Sequence, residues 1–198
     1  YFNTRGSGVV AKLGTDGQVF TSTGAGLSQG FEAAAGGGKI GQIVSTLKTD
    51  TYTNTTEDSW VDVTGVTIAI TPAKASSKIF VMLQMYGGVA SGVTPAVKIQ
   101  RDIESAGYAD SIAVGATASN RQRSTAGTFY SRDGGQVQCV SAHFLDSPSY
   151  TLTDEITYKV QLYQDNTNTV RIGGSGDYGD VANQHTYPTV FTCWEVLA

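Results

Sequence analysis

Groups that do chemistry are scarce in this chain. Its 198 residues include two histidines and two cysteines. His143 falls in the strand-like run QVQCVSAHFL, where it reads as a packed or surface side chain, and His185 in the loop-like run DVANQHTYP. Neither stands beside a serine or cysteine nucleophile motif, and no G-x-S-x-G is present. Two cysteines do not make a disulfide framework. Cys139 and Cys193 each sit in a strand-like run and read as small, buried, unbridged apolar residues. No apolar run approaches transmembrane length, so no membrane insertion is expected. The N-terminal YFNTRGSGVV is polar, unlike a signal peptide. The chain starts at Tyr1 and not at methionine, which reads as a processed chain or the end of a longer one.

Charge is sparse as well. Charged residues make up 15% of the chain and the net charge is −4. The sequence pI is about 5.0. Nucleic-acid binders carry a basic patch or stripe; here the one close basic pair is Arg121 and Arg123, so no nucleic-acid partner is expected. Glycoside hydrolysis needs two positioned carboxylates. Asp102, Glu104, Asp110, Asp154 and Glu155 are available, but no pattern pairs them. GSGDYGD at 174–180 sets Asp177 and Asp180 in a Gly-rich loop without the dense spacing of calcium loops. The chain therefore reads as no enzyme, with no metal and no cofactor.

What is abundant is Gly, Thr and Ser, with little Leu, a composition of strands and turns. Residues 1–38 are Gly/Ser/Thr-rich with isolated apolar side chains (Val9, Leu13, Val19, Phe20, Phe31), too few for a core. This segment is either a flexible linker or an extended shaft or collar piece that orders only against other chains. GGGK at 36–39 marks the hinge to a second unit, 39–198.

There the pattern has period two. Val66, Ile68 and Ile70 share one face of WVDVTGVTIAITP. In SSKIFVMLQMY, Ile79, Val81, Leu83 and Met85 line one face and Phe80, Met82 and Tyr86 the other, so this strand is expected to be covered on both sides. AVKIQRD, SIAVGA, GTFYS and QVQCVSAHFL read as strands, and EITYKVQLYQ points Ile156, Tyr158, Val160 and Leu162 inward. DNTN at 165–168 reads as a hairpin turn before TVRIGG, and TVFTCWEV closes the chain. Asp146 and Pro148 read as a turn cap and its guide. Trp60 and Trp194 lie in strand patterns and read as core or subunit-interface residues. About eight to ten short strands, with prolines between or at the start of them, predict an all-β, jelly-roll-like antiparallel β-sandwich.

Several phrases resemble a family. LGTDGQVFTSTGAG resembles the G-x-x-G-Q-V-L-T-S-x-G-x-G element of bacteriophage tail-fibre shafts and collars. ITPAKASSKIFV, VKIQRD…SIAVG, FLDSPSYTLTDEITYKVQ and the terminal aromatic-Glu-Val strand resemble the C-terminal domain of tail fibres from marine and environmental phages. Phe20 replaces the usual Leu, and Phe31 stands where Trp often follows. The resemblance implies a homotrimeric virion appendage, assembled in the host cytoplasm, with other tail or virion proteins as partners. It also implies attachment to a host surface polysaccharide or protein receptor. A purely structural appendage or capsid-decorating protein is the alternative, and a polysaccharide-degrading fibre enzyme a further one. Sparse apolar residues in 1–38 fit burial between three copies.

Alternation of strand direction, counted back from the final strand, predicts which loops share the end far from the shaft. It groups 118–124, 146–151 and 173–188 there, and puts the 165–168 turn at the base. The candidate receptor-binding residues are then Tyr150, Asp177, Tyr178, Asp180, Asn183, His185 and Tyr187, with Arg121 and Arg123 beside them. Aromatic rings with Asp and Asn acceptors suit a shallow saccharide site.

Overall fold

The computed structural model describes residues 18–21, 30–33, 39–90, 92–110, 113–127, 129–130, 135–177, 182 and 184–197. It divides the chain into two units, Tyr1–Lys39 and Ile40–Ala198. In the first, β1 (Gln18–Thr21) pairs antiparallel with β2 (Gly30–Ala33), Phe20 opposite Phe31. The described part of the expected extended segment is therefore a hairpin. A strand this short satisfies its N–H and C=O groups by pairing, and here the partner lies in the same chain.

The second unit is a sandwich of two antiparallel sheets. Its strands are β3 (Ile40–Lys48), β4 (Tyr52–Asn54), β5 (Val61–Ile70), β6 (Lys78–Val89), β7 (Ala96–Ile103), β8 (Ala109–Asp110), β9 (Gln138–Asp146), β10 (Ile156–Tyr163), β11 (Val170–Ile172) and β12 (Thr189–Val196). β6 pairs with β9 on one edge and with β12 on the other; Gly87 faces both Gln138 of β9 and Ile172 of β11, so β11 lies on the β12 edge. Beyond them β3 pairs with β12 and β4 with β11. β11 and β12 are thus two pieces of one row running in the same direction, and so are β3 and β4. Rows numbered in chain order stand 1-8-3-6 in one sheet and 2-7-4-5 (β5-β10-β7-β8) in the other. That order is the jelly roll.

The period-two reading places the core. Val66, Ile68 and Ile70 of β5, Ile79, Val81, Leu83 and Met85 of β6, and Ile156, Tyr158, Val160 and Leu162 of β10 are all buried in one cluster. In two expected strands, SIAVGA and GTFYS, the described residues hold no ladder, and Val97↔Ala126 forms an isolated bridge nearby. Short apolar runs next to Gly and Ser can equally be coil lying along a sheet edge. The 165–168 segment is no hairpin turn, because β10 and β11 belong to different sheets and the chain crosses between them there.

The sandwich has two unlike ends. At the end where β12 finishes, two buried carboxylates tie parts together. Asp146 of β9 accepts from Arg101 Nη1 at 2.7 and 2.6 Å and from the Tyr158 hydroxyl at 2.8 Å, joining one sheet to the other. Asp146 is fully buried, so it is an inter-sheet tie and not the expected turn cap. Glu195 of β12 accepts from Ala73 N at 2.8 Å, Lys74 N at 3.2 Å, Ser77 Oγ at 2.8 Å and Gln42 Nε2 at 2.9 Å. Burial opposes its ionisation, but these donors outweigh it and hold the carboxyl below its ordinary value of 4.5. A carboxyl lowered on folding stabilises above its unfolded value and loses that contribution as pH falls toward the folded one. Glu195→Gln is expected to cost about 2 kcal/mol, or about 4–8 °C in Tm. Its Tm should also fall less steeply than the wild type's below pH 4.5, by calorimetry in acidic buffers.

Both cysteines are unbridged, as expected, but only one of them is buried. Cys193 is buried on the inner face, but Cys139 is exposed, facing Tyr86 across the strands. Burial, with Asp146 adding repulsion, pushes the Cys193 thiol up to about 12. The native protein should therefore leave Cys193 unlabelled by a thiol reagent at mildly alkaline pH, and label it once denatured; mass spectrometry of the labelled peptides checks this.

Candidate functional site

The most distinctive surface is the outer face of the sheet built on β6. Period two sends every second residue of each strand away from the core. Registers then align them in three rungs: Ile43–Trp194–Phe80–Leu145, Ser45–Thr192–Met82–His143, and Leu47–Val190–Gln84–Ser141. None of these side chains is an acid, Lys or Arg. Large apolar ones stand in water: Leu47 is 62% exposed, Ile43 56%, Leu145 42% and Met82 38%. Phe80 meets Trp194 edge-on, centroids 6.3 Å apart. The Trp194 indole N–H is buried with no hydrogen-bond partner among the described residues. A groove of about 250 Å³ runs between the rungs, lined by Met82, Gln84, Ser141, His143, Val190 and Thr192. The expected cover on the outer side of β6 is not supplied by the described residues: Phe80 and Tyr86 are half-buried and Met82 is exposed.

The outer face of the other sheet is polar. Asp62 receives Lys159 Nζ at 2.9 Å and Gln161 Nε2 at 2.7 Å, while Lys98 pairs with Asp110 at 3.3 Å. Trp60 lies here, half-buried, and is not a core residue. The Lys98 ammonium stands 4.2 Å over its ring, Tyr163 packs beside it at 5.4 Å, and its N–H donates to Gln122 at 3.1 Å. The uncovered apolar face thus belongs to one sheet and is not general to the sandwich.

The structure separates the expected receptor-site residues. Asp177, His185 and Tyr187 share the long loop between β11 and β12. Tyr178, Asp180 and Asn183 lie outside the described residues. The loop leaves and rejoins its row at one point: Gly173 N donates to Tyr86 O at 2.7 Å, and Tyr187 N to Gly173 O at 2.9 Å. Tyr187 stacks on Tyr86, with His185 beside it. Asp177 is exposed, and its carbonyl accepts from Gln184 Nε2 at 3.0 Å.

Tyr150 lies at the opposite end. Its hydroxyl donates to Lys74 O at 2.6 Å and is 3.1 Å from Ser77 O, beside the Glu195 tie. Burial leads the causes that raise this phenol. The grouping of Tyr150 with His185 and Tyr187 is corrected for a simple reason. The count took β11 and β12 as successive antiparallel strands, whereas they run the same way in one row, which reverses the parity of every earlier loop. The 165–168 segment accordingly lies on the same half as the 173–188 loop, not at the base. Arg121 and Arg123 stand apart from both, in the loop along the β7–β8 edge. Arg123 Nε donates to Gly115 O at 2.7 Å and Nη1 lies 3.6 Å from Asp110; Arg121 is exposed, its amide bonded to Ala118 O. Among the described residues no group of three or more His, Cys, Asp or Glu is placed to hold a metal ion.

No family model matches the chain. No curated protein matches it either. Among solved structures, a chain from the structure of infectious bursal disease virus Gx strain is similar at 8% identity and TM-score 0.42, over 96% of this chain and 41% of that one. A likeness of that size carries no functional information.

Tyr150→Phe is expected to lower stability by about 1 kcal/mol through loss of its hydroxyl bonds, measured by thermal melts.

Proposed function

We propose that this chain is a structural and adhesive virion protein, a trimeric tail fibre or fibre tip that attaches to a bacterial surface. The observation that carries the assembly part is the Ile43–Trp194–Phe80–Leu145 rung, with Met82, Leu47 and Val190 beside it. A contiguous apolar face open to water marks an interaction surface. Its occupant is another copy of this chain. The three rungs carry no acid, Lys or Arg, and Lys78 stands one rung beyond them at the edge of the band, so the centre offers a foreign partner no electrostatic handle. Two copies can meet over these rungs without like-charge repulsion at their centre, and identical subunits close into rings. The number three comes from the resemblance of the collar-like and head-like phrases to tail-fibre trimers. The adhesive part rests on the same resemblance and on the long β11–β12 loop with its exposed Asp177 and His185 and half-buried Tyr187.

The experiment is the mass of the full chain in dilute solution, compared with Ile43→Asp and Leu145→Asp. Both positions are exposed in the single chain, so charge there leaves the sandwich intact. The wild type is expected to run as a trimer. Each variant should shift to monomer with an unchanged strand signal in circular dichroism. A wild-type monomer, or variants that stay trimeric, would remove the face from the assembly.

A further inference from the structure

At the half of the sandwich away from the carboxylate ties, a second cavity of about 200 Å³ is lined by Gly135, Val137, Ser175, Gln184, His185 and Tyr187. We infer that it takes a single neutral sugar unit of a glycan, an inference that rests on the adhesive reading and assigns the ligand class to that loop.

The floor is rigid because backbone lies on backbone. A Cβ on Gly176 would sit 2.0 Å from the Val89 carbonyl carbon, and one on Gly88 would sit 2.4 Å from Gln136 O. Only glycine permits this approach, and it presses 175–176 onto β6 just before β9 begins. Arg171 Nη1 donates to Ser175 O at 3.2 Å and fixes the same segment. One wall is Tyr187, held flat on Tyr86 with centroids 5.3 Å apart and planes at 25°. The loop ends are pinned at Gly173 and Tyr187. The walls are therefore preorganised, which lowers the entropic cost of binding.

The chemistry of the lining selects the ligand. Among the described residues no Lys, Arg, Asp or Glu lines it, which favours an uncharged ligand. An apolar ligand would leave polar groups stranded. Ser175 is buried, and its Oγ has no hydrogen-bond partner among the described residues. His185 is exposed, 6.5 Å from Tyr187, with ring nitrogens that can donate and accept. A hydroxyl, an amide and an imidazole around an aromatic wall match a pyranose, which presents hydroxyls at its rim and C–H bonds on its face. The space admits about one ring, so the site reads a terminal or protruding unit and not a long chain segment.

Saturation-transfer NMR on the full chain tests this, with methyl glycosides of glucose, galactose, mannose, N-acetylglucosamine and glucuronic acid. At least one neutral glycoside should bind. Its affinity should drop about fivefold in His185→Ala and in Ser175→Ala, the loss of one hydrogen bond. His185 is exposed, so its variant keeps the fold even if Ser175→Ala does not. No neutral glycoside binding to folded protein, stronger binding of the glucuronide, or equal affinity in wild type and both variants would each overturn the inference. Glycoside binding that falls in the variants, with whole-cell adsorption unchanged, would support the cavity and sink the adhesive reading instead.

Discussion

A sandwich buries one face of each of its sheets and leaves the other to water. Here one sheet also carries an uncharged band with large apolar side chains on its outer face. The inward residues of β6 and β12 fill the core, and the outward ones, Phe80, Met82, Val190 and Trp194, build a second dry surface against Ile43, Leu47 and Leu145. Among the described residues of the second unit nothing lies over it. The opposite sheet meets the ordinary requirement, with Asp62, Lys98, Asp110 and Lys159 paired on its outer side. The imbalance between the sheets is what motivates the proposal that other copies of the chain cover this face.

The ends of the sandwich divide the remaining work. The end at which β12 finishes is locked by Asp146 between the sheets and by Glu195 under the 72–77 loop. Polar groups are buried there, and each carboxylate has its donors, so they add rigidity and offer nothing to a ligand. On the other half the chain is allowed a long excursion between β11 and β12. Its roots are pinned to β6, and its described side chains are polar and aromatic. A stiff scaffold with one elaborated loop suits recognition, and a jelly roll supplies such a scaffold.

Much of the core was legible in the sequence. The alternation in β5 and β10 names their buried residues directly, because a strand with one wet face shows its period. The two-faced apolar pattern of β6 was also visible. What it cannot say is whether the second cover comes from the same chain. Pairing is non-local, and this is where sequence reading went astray. TVRIGG looks like a whole strand, yet Val170–Ile172 is the first piece of a row that β12 completes after the loop, and that one fact moved Tyr150 to the far end. Asp146 looked like a turn residue because DSP is a turn phrase; only its neighbours across the sandwich, Arg101 and Tyr158, reveal the ion pair. Cys139 read as buried because its neighbours are apolar, but in β9 it falls on the outward parity.

The chain has two methionines, three residues apart on the same strand: Met85 faces the core and Met82 the open face, 38% exposed in a single chain. Peroxide oxidation of the intact native protein, read by peptide mass spectrometry, therefore reports on the cover. If other copies occupy the face, Met82 is protected in the assembly almost as well as Met85, and becomes reactive when the assembly is dissociated with the fold intact. Met82 oxidising in the native assembly as fast as in the denatured chain, while Met85 stays protected, would contradict the account.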